Sequence, residues 1–289
     1  MRRRAFLGAV GLTALAGCSN GGSGGSTATP TSTPAGTGSP NFEFLRVESA
    51  ETTPLNVPTA FAIAIQNTGT AEGTFTSMLQ AKIGDGEWKD AGTIEMTLAP
   101  GEKGEWHSPR LTPRYLTTLH YRLAAFDETW SIEVTPKRLD FGNYYNVPTG
   151  LYLNVLGGSF ESKYPTPTDG STTNGTATNG TGTPEPTPTP TTPPDGDIWA
   201  IMELEVRNRL DEPKTTPAAS EFVLEVGGER RPLHQEVANP AYESITLDGR
   251  TIRRAELVYA VPEGTQAHDL TLWWEKSLPK GDVKAIWTK

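Results

Sequence analysis

From Asn41 onward the apolar residues of this chain recur at every second position, and that period restricts the fold more than any other feature. In "TWSIEV", Trp130, Ile132 and Val134 alternate with Thr129, Ser131 and Glu133, as in a strand with one buried face. "FAIAIQNTGTAEG" carries Phe61, Ile63 and Ile65 along one face and stops at Asn67-Thr68-Gly69, a cluster of turn formers. "FTSMLQAKIGDGEW" reads as a strand, a Gly-Asp-Gly turn and the start of another strand, and "LHYRLAAF" as one more. Helical periodicity is nearly absent, and Pro and Gly punctuate the chain at short intervals. Such a chain is predicted to be all-β, with its strands stacked as sandwiches.

A second strand-rich region follows. "DIWAIMELEVRNRLDEP" sets Ile198, Ala200, Met202, Leu204 and Val206 on one face, and "EFVLEVGGERRPL" reads as a hairpin around Gly227-Gly228. "RTIRRAELVYAVPEG" and "HDLTLWWE" complete the set. In both regions a strand ends in Asn and runs into a turn, "IQNTG" and "VRNRL", which points to tandem related domains. The Thr/Pro-rich tract between the regions looks like an interdomain linker. However, the segment before it, "FGNYYNVPTGLYLNVLGGSFESKY", already alternates with Leu151, Leu153 and Val155 on one face. The tract at 165–196 therefore reads as a disordered insertion within the second sandwich. Lengthening a loop from a few residues to about 32 costs only about 1.8 kcal/mol. The expected organisation is two tandem immunoglobulin-like β-sandwiches, 41–135 and 136–289.

The start of the chain has a different character. Three arginines precede an apolar stretch from Ala5 to Ala16, the charged, apolar, small-residue order of an export signal and shorter than a membrane span. Arg3 and Arg4, followed by Ala5-Phe6-Leu7, match the twin-arginine export pattern. "LAGC" resembles the lipobox of bacterial and archaeal lipoproteins and ends in Cys18, the single cysteine of the chain. Residues 1–18 thus read as a lipoprotein signal and Cys18 as the site of lipid attachment. A two-chain lipid holds a protein stably on a membrane. Residues 19–40, nearly all Gly, Ser, Thr, Ala and Pro, read as a disordered tether.

Composition narrows the partners. A net charge of −9 argues against nucleic acid and anionic lipid, both of which an acidic surface repels. His107, His120, His234 and His268 lie far apart, with no metal-motif spacing, and no Gly-x-Ser-x-Gly elbow occurs. Gly84-Asp85-Gly86-Glu87 and Asp195-Gly196-Asp197 supply oxygen ligands but no complete calcium loop, so hairpin turns account for them. No catalytic residue, metal or cofactor is expected. Asn174 and Asn179 open two Asn-Gly-Thr sequons. A glycosylated loop and a low-complexity tract with incidental sequons both fit. With Ile198 and Leu272 facing the core, alternation turns Trp199 and Trp273 outward. There they form either a flat stacking surface for a sugar or protein partner, or a face covered by the long loop or the neighbouring domain.

The stretches "FAIAIQNTGTAEGTF" and "LAPGEKGEW" are similar to the cell-adhesion-related immunoglobulin-like domains of bacteria and archaea. The order of "GLYLNVLGGSF", "PPDGDIWAIMELEVRNRLDEP" and "SEFVLEVGGERRPL" resembles a family of secreted immunoglobulin-like domains of uncharacterised function. "LDGRTIRRAEL" departs from that pattern where a Pro-Gly turn is usual. The whole design resembles the secreted lipoproteins of halophilic archaea. These resemblances imply a fold and an extracellular setting, and they pass on no catalytic residues. The function expected is non-catalytic binding, adhesion or a structural role at the cell surface, anchored to the membrane through lipid on Cys18. The alternatives are an accessory solute-binding lipoprotein and, further off, a secreted enzyme.

Overall fold

The computed structural model describes residues 38–164 and 191–289. The first eight strands are β1 (Phe42–Ser49), β2 (Thr52–Pro54), β3 (Phe61–Asn67), β4 (Gly73–Ile83), β5 (Lys89–Leu98), β6 (Lys103–His107), β7 (Thr118–Leu123) and β8 (Glu128–Thr135). They form two sheets, ordered β1-β3-β6 and β2-β8-β7-β4-β5. All neighbours are antiparallel except β2, which runs parallel to β8. This is the Greek-key order of an immunoglobulin-like sandwich. Ile63, Ile65, Ile94, Leu123 and Ile132 are fully enclosed between the sheets. The outward positions of β3 are the small Ala62 and Ala64, which its neighbours cover.

The remaining strands repeat the plan. They are β9 (Lys137–Asp140), β10 (Tyr144–Asn146), β11 (Leu151–Glu161), β12 (Asp197–Asn208), β13 (Lys214–Thr215), β14 (Phe222–Val226), β15 (Glu229–Arg231), β16 (Thr246–Leu247), β17 (Ile252–Pro262), β18 (Leu270–Leu278) and β19 (Gly281–Thr288). One sheet is β10-β11-β12-β17 and the other β15-β14-β18-β19-β9, with β9 parallel to β19. The short pair β13-β16 stands apart. Leu204, Val206, Leu224, Leu257, Leu272 and Trp287 fill the space between the sheets. Gly227-Gly228 turns the β14-β15 hairpin with φ of 60° and 85°, the two positive angles of a type I′ turn. The chain is thus all-β, and its only helical pieces among the described residues are two three-residue 3₁₀ turns, Ala219–Glu221 and Ala267–Asp269.

β11 and β12 pair antiparallel as far as Glu161 opposite Trp199, so the Thr/Pro-rich tract joins two adjacent strands of one sheet. The ends of the expected low-complexity segments differ from expectation. Residues 191–196, expected within the insertion, lie on the sandwich: Asp197 N–H donates to Pro194 O at 3.1 Å and Glu263 N–H to Gly196 O at 3.0 Å. Residues 38–40, expected in the tether, are likewise held, with Thr70 N–H donating to Ser39 O at 3.1 Å. Backbone hydrogen bonds to neighbouring turns fix these segments, which hydrophobic pattern alone does not reveal.

The buried cluster continues from one sandwich into the other. At the junction, Asn56 Nδ2 donates to Asn146 O at 2.9 Å and Leu116 N–H to Asp282 O at 2.8 Å. The β18-β19 turn presses against the loop before β7. A Cβ on Gly281 would fall 3.0 Å from the Tyr115 side chain, and the residue's φ is 136°. Only glycine meets both conditions without strain.

Candidate functional site

Cys18, Arg3, Arg4, Asn174 and Asn179 lie outside the described residues. The two tryptophans do turn away from the core, but they form no common surface. Trp199 stands on β12 and Trp273 on β18, in opposite sheets of one sandwich, so they point to opposite sides of it. Trp199 is, moreover, only 2% exposed, which removes it from the stacking-surface reading and fits the covered one. It packs with Tyr164, Ile201, Val258 and Ala260 beneath Val237 and Ala238. Its indole N–H donates to Thr191 O at 3.0 Å. The cause is a run of apolar outward positions on β12 and β17 that the 232–245 segment folds across, bridging Leu233 to Tyr259 and Ala241 to Glu256. Tyr164 N–H donates to the same Thr191 carbonyl at 2.9 Å, so the two ends of the tract meet over Trp199. The Tyr164 hydroxyl bonds Glu256 and accepts from Asn239 N–H. Burial, then Glu256, pushes its pKa up to about 12.

Trp273 is half-buried, with Lys284 Nζ 4.2 Å and the Arg230 guanidinium 5.2 Å from its ring centre. Its open face is thus taken by cations of its own sheet. His107, His234 and His268 each stand beside one acidic neighbour, Glu105, Glu236 and Asp269 respectively, and His120 lies on β7. Among the described residues no group of three or more His, Cys, Asp or Glu converges on one point. Gly84-Asp85-Gly86 forms the β4-β5 turn, and Gly196 the turn into β12.

The most concentrated polar cluster was not anticipated. Glu205, on the outer face of β12, is 0% exposed. Its carboxylate accepts from Arg254 Nε at 2.7 Å, from Arg207 Nη2 at 2.8 Å and from the Tyr144 hydroxyl. Arg207 also lies 4.8 Å from the centre of the Tyr144 ring. Burial alone would raise the Glu205 pKa, but the hydrogen bonds from Tyr144, Arg254 and Arg207 together hold it below its ordinary value. With its pKa held down and its oxygens already bonded to its own partners, this carboxylate is a weak base toward an outside group. Its chemistry is structural. The legible signal was a Glu-x-Arg pair on the outward positions of an otherwise buried strand.

One open feature is a groove where the sandwiches meet, with a volume of about 460 Å³. One wall is the end of β4 and the loop before β7, including Ile83, Leu111, Tyr115 and Leu116, and the other is the β18-β19 turn at Lys280 and Gly281. Ile83 is 67% and Leu111 44% exposed. Arg114 and Lys280 stand at the rim, both exposed. Just behind it, the Tyr145 hydroxyl is enclosed without a hydrogen-bond partner. Burial raises its pKa well above the usual tyrosine range, and the charge of Arg114 pulls slightly the other way. Sequence reading missed this site because its residues come from two turns far apart in the chain.

No family model matches the chain, and no curated protein matches it either. Among solved structures it is similar to an uncharacterised β-sandwich protein from Clostridium difficile 630, at 8% identity and a TM-score of 0.32, over 53% of this chain and 94% of that one. It is also similar to a candidate lipoprotein from Bacillus subtilis, at 10% identity and a TM-score of 0.32, over 52% of this chain and 39% of that one. A red sea bream transglutaminase aligns at 12% identity and a TM-score of 0.35, over 86% of this chain and 31% of that one. At such scores these likenesses carry no argument about activity. The all-β sandwich architecture rests on the strand order itself.

Proposed function

We propose that the chain is an exported protein, tethered by lipid on Cys18 to the outer face of its membrane, which binds partners without catalysing a reaction. The observation that supports this reading is the single cysteine closing an arginine-led apolar run, "RRRAFLGAVGLTALAGC", ahead of a body made of β-sandwiches. In this reading residues 41–135 and 136–289 are the two binding modules and 19–40 the tether. The partners are the membrane, through the lipid, and a surface protein or glycan, whereas nucleic acid is disfavoured by the net charge of −9. Among the described residues no helix is long and apolar enough to cross a membrane. The lipid, reached through Arg3 and Arg4 and the export pathway they match, is the attachment proposed.

Fractionation of cells carrying the full chain tests this. The expected result is recovery with the membrane, release only by detergent, and an intact mass that includes acyl or isoprenoid chains on Cys18. Cys18→Ser should move the protein to the medium. Retention of Cys18→Ser on the membrane would overturn the anchor. Crosslinking on intact cells then identifies the partner.

A further inference from the structure

We propose that the groove between the two sandwiches binds a small amphiphile with an apolar chain and a terminal carboxylate. This deepens the reading of the chain as a non-catalytic binding protein and rests on it, though not on the lipid anchor. The groove's volume of about 460 Å³ lies within the range of roughly 300–1,000 Å³ typical of small-molecule sites. Among the described residues five large apolar side chains are exposed, and two of them, Ile83 and Leu111, line this groove. Apolar surface left in water this way is stabilised by a ligand that covers it.

The charges select the head group. Arg114 and Lys280 flank the apolar wall, no acidic residue lines it, and neither cation pairs with a carboxylate among the described residues. The overall charge of −9 is felt weakly here, because charges more than about 8–10 Å away are screened at physiological salt. A carboxylate placed between two unpaired cations meets local attraction.

The backbone argues against an extended peptide. Leu111 exchanges both its hydrogen bonds with Thr59, at 2.9 and 2.8 Å. Pro113 O accepts from Asn56 N–H at 2.8 Å, and Leu116 N–H is spent on Asp282 O. A peptide adding as a strand needs a free ladder, and these backbone groups are already paired. A glycan needs a row of polar side chains, whereas the open surface of the groove is mostly apolar, from Ile83, Leu111 and Leu116, with Thr112, Tyr115 and Thr117 among its lining. What remains is apolar area beside two cations.

Calorimetric titration of the full-length Cys18→Ser chain, free of detergent, tests the assignment with dodecanoate, 1-dodecanol and dodecyltrimethylammonium as probes. Dodecanoate is expected to bind one to one, and the cationic probe at least about tenfold more weakly. Ile83→Asp and Leu111→Asp should each weaken dodecanoate binding about tenfold. The double variant Arg114→Glu, Lys280→Glu, at exposed positions that leave the fold intact by circular dichroism, should weaken it about fivefold or more. Absence of dodecanoate binding, equal binding of the cationic probe, or affinity unchanged by the groove substitutions overturns the proposal. So does concentration-dependent dimerisation that Leu111→Asp abolishes, which would assign the face to a second copy. If dodecanoate binds but is recovered chemically altered, the groove stands and the non-catalytic reading falls. If it does not bind while a surface partner still crosslinks, the groove falls and that reading stands.

Discussion

The two sandwiches close their central strands with the same device and dress a corresponding outward position of those strands quite differently. In the first, Asn67 is fully buried. Its Nδ2 donates to Ala71 O at 2.8 Å and Leu98 O at 2.9 Å, and its Oδ1 accepts from Gly69 N–H at 3.0 Å. In the second, Asn208 donates to Glu212 O at 2.8 Å and Leu247 O at 3.1 Å, and accepts from Leu210 N–H at 3.1 Å. Each also donates its own N–H to the residue just before the neighbouring strand, Asn67 to Glu102 O ahead of β6 and Asn208 to Thr251 O ahead of β17. Counting back from the asparagines, Ala64 in β3 corresponds to Glu205 in β12. Over Ala64, Arg46 and Glu105 form a loose exposed pair at 3.7 Å, whereas Glu205 is enclosed and clamped by two arginines. Topology dictates the polar side chain where a buried corner has carbonyls to satisfy. On the outer face it leaves the choice open.

Alanine at the two corners tests their equivalence and carries the largest expected effect. Asn67→Ala and Asn208→Ala each strand at least two backbone carbonyls and an N–H in or near the core, at a cost of about 3 kcal/mol. Urea denaturation of the full chain measures this. A loss below about 1 kcal/mol for Asn208→Ala, beside a full loss for Asn67→Ala, would break the comparison and reduce the likeness to geometry.

The contrast between Ala64 and Glu205 gives the second effect and a pH signature. Glu205→Gln should cost about 2 kcal/mol at pH 7, since charge-assisted bonds to Arg207, Arg254 and Tyr144 weaken together. Because the folded state holds the Glu205 pKa below its ordinary value, the stability it contributes is fully present above the unfolded value of about 4.3. That contribution is lost as pH falls through the lower, folded one. Thermal melts of wild type between pH 5 and pH 3 should therefore fall more steeply than those of Glu205→Gln. Parallel curves would show that the cluster acts without its charge. In the first sandwich Glu105→Gln should change stability by less than about 0.5 kcal/mol, because its pair with Arg46 is exposed.

The strands were legible because alternation is a local signal. "TWSIEV", "FAIAIQN" and "DIWAIMELEVRN" all fall on observed strands with the expected residues inward. The Asn-turn repeat was legible for the same reason, since the asparagine meets its i+2 and i+4 neighbours. The fate of Trp199 was not, because period two tells which side of a sheet a residue takes and nothing about what lies over that side. Its cover comes from the 232–245 segment and Tyr164, whose arrival is a tertiary event. Glu205 and the junction groove were hidden likewise. Arg254 reaches Glu205 from a neighbouring strand, and Lys280 lines the same groove as Arg114 from the other sandwich.

The smallest expected effect lies in the turns that follow Leu98 and Leu247, where the second sandwich departs from a Pro-Gly turn. Gly101 and Arg250 occupy corresponding places, three residues past those leucines, with φ of 77° and 61°. In "LAPGEK" the glycine serves that positive angle. In "LDGRTI" the glycine is needed one residue earlier, because a Cβ on Gly249 would fall 2.1 Å from Asp211 O. An arginine is thus left in the left-handed region, with its guanidinium on Asp211 at 2.7 Å. Nothing lies within 4 Å of a Cβ built on Gly101, so Gly101→Ala isolates the backbone penalty and should cost about 1 kcal/mol. Arg250→Gly relieves the same penalty, gives up an exposed ion pair and frees the unfolded chain, so its midpoint should stay close to wild type. If Arg250→Gly destabilises as much as Gly101→Ala, the ion pair with Asp211 holds that turn, and the two sandwiches reach one backbone shape by different forces.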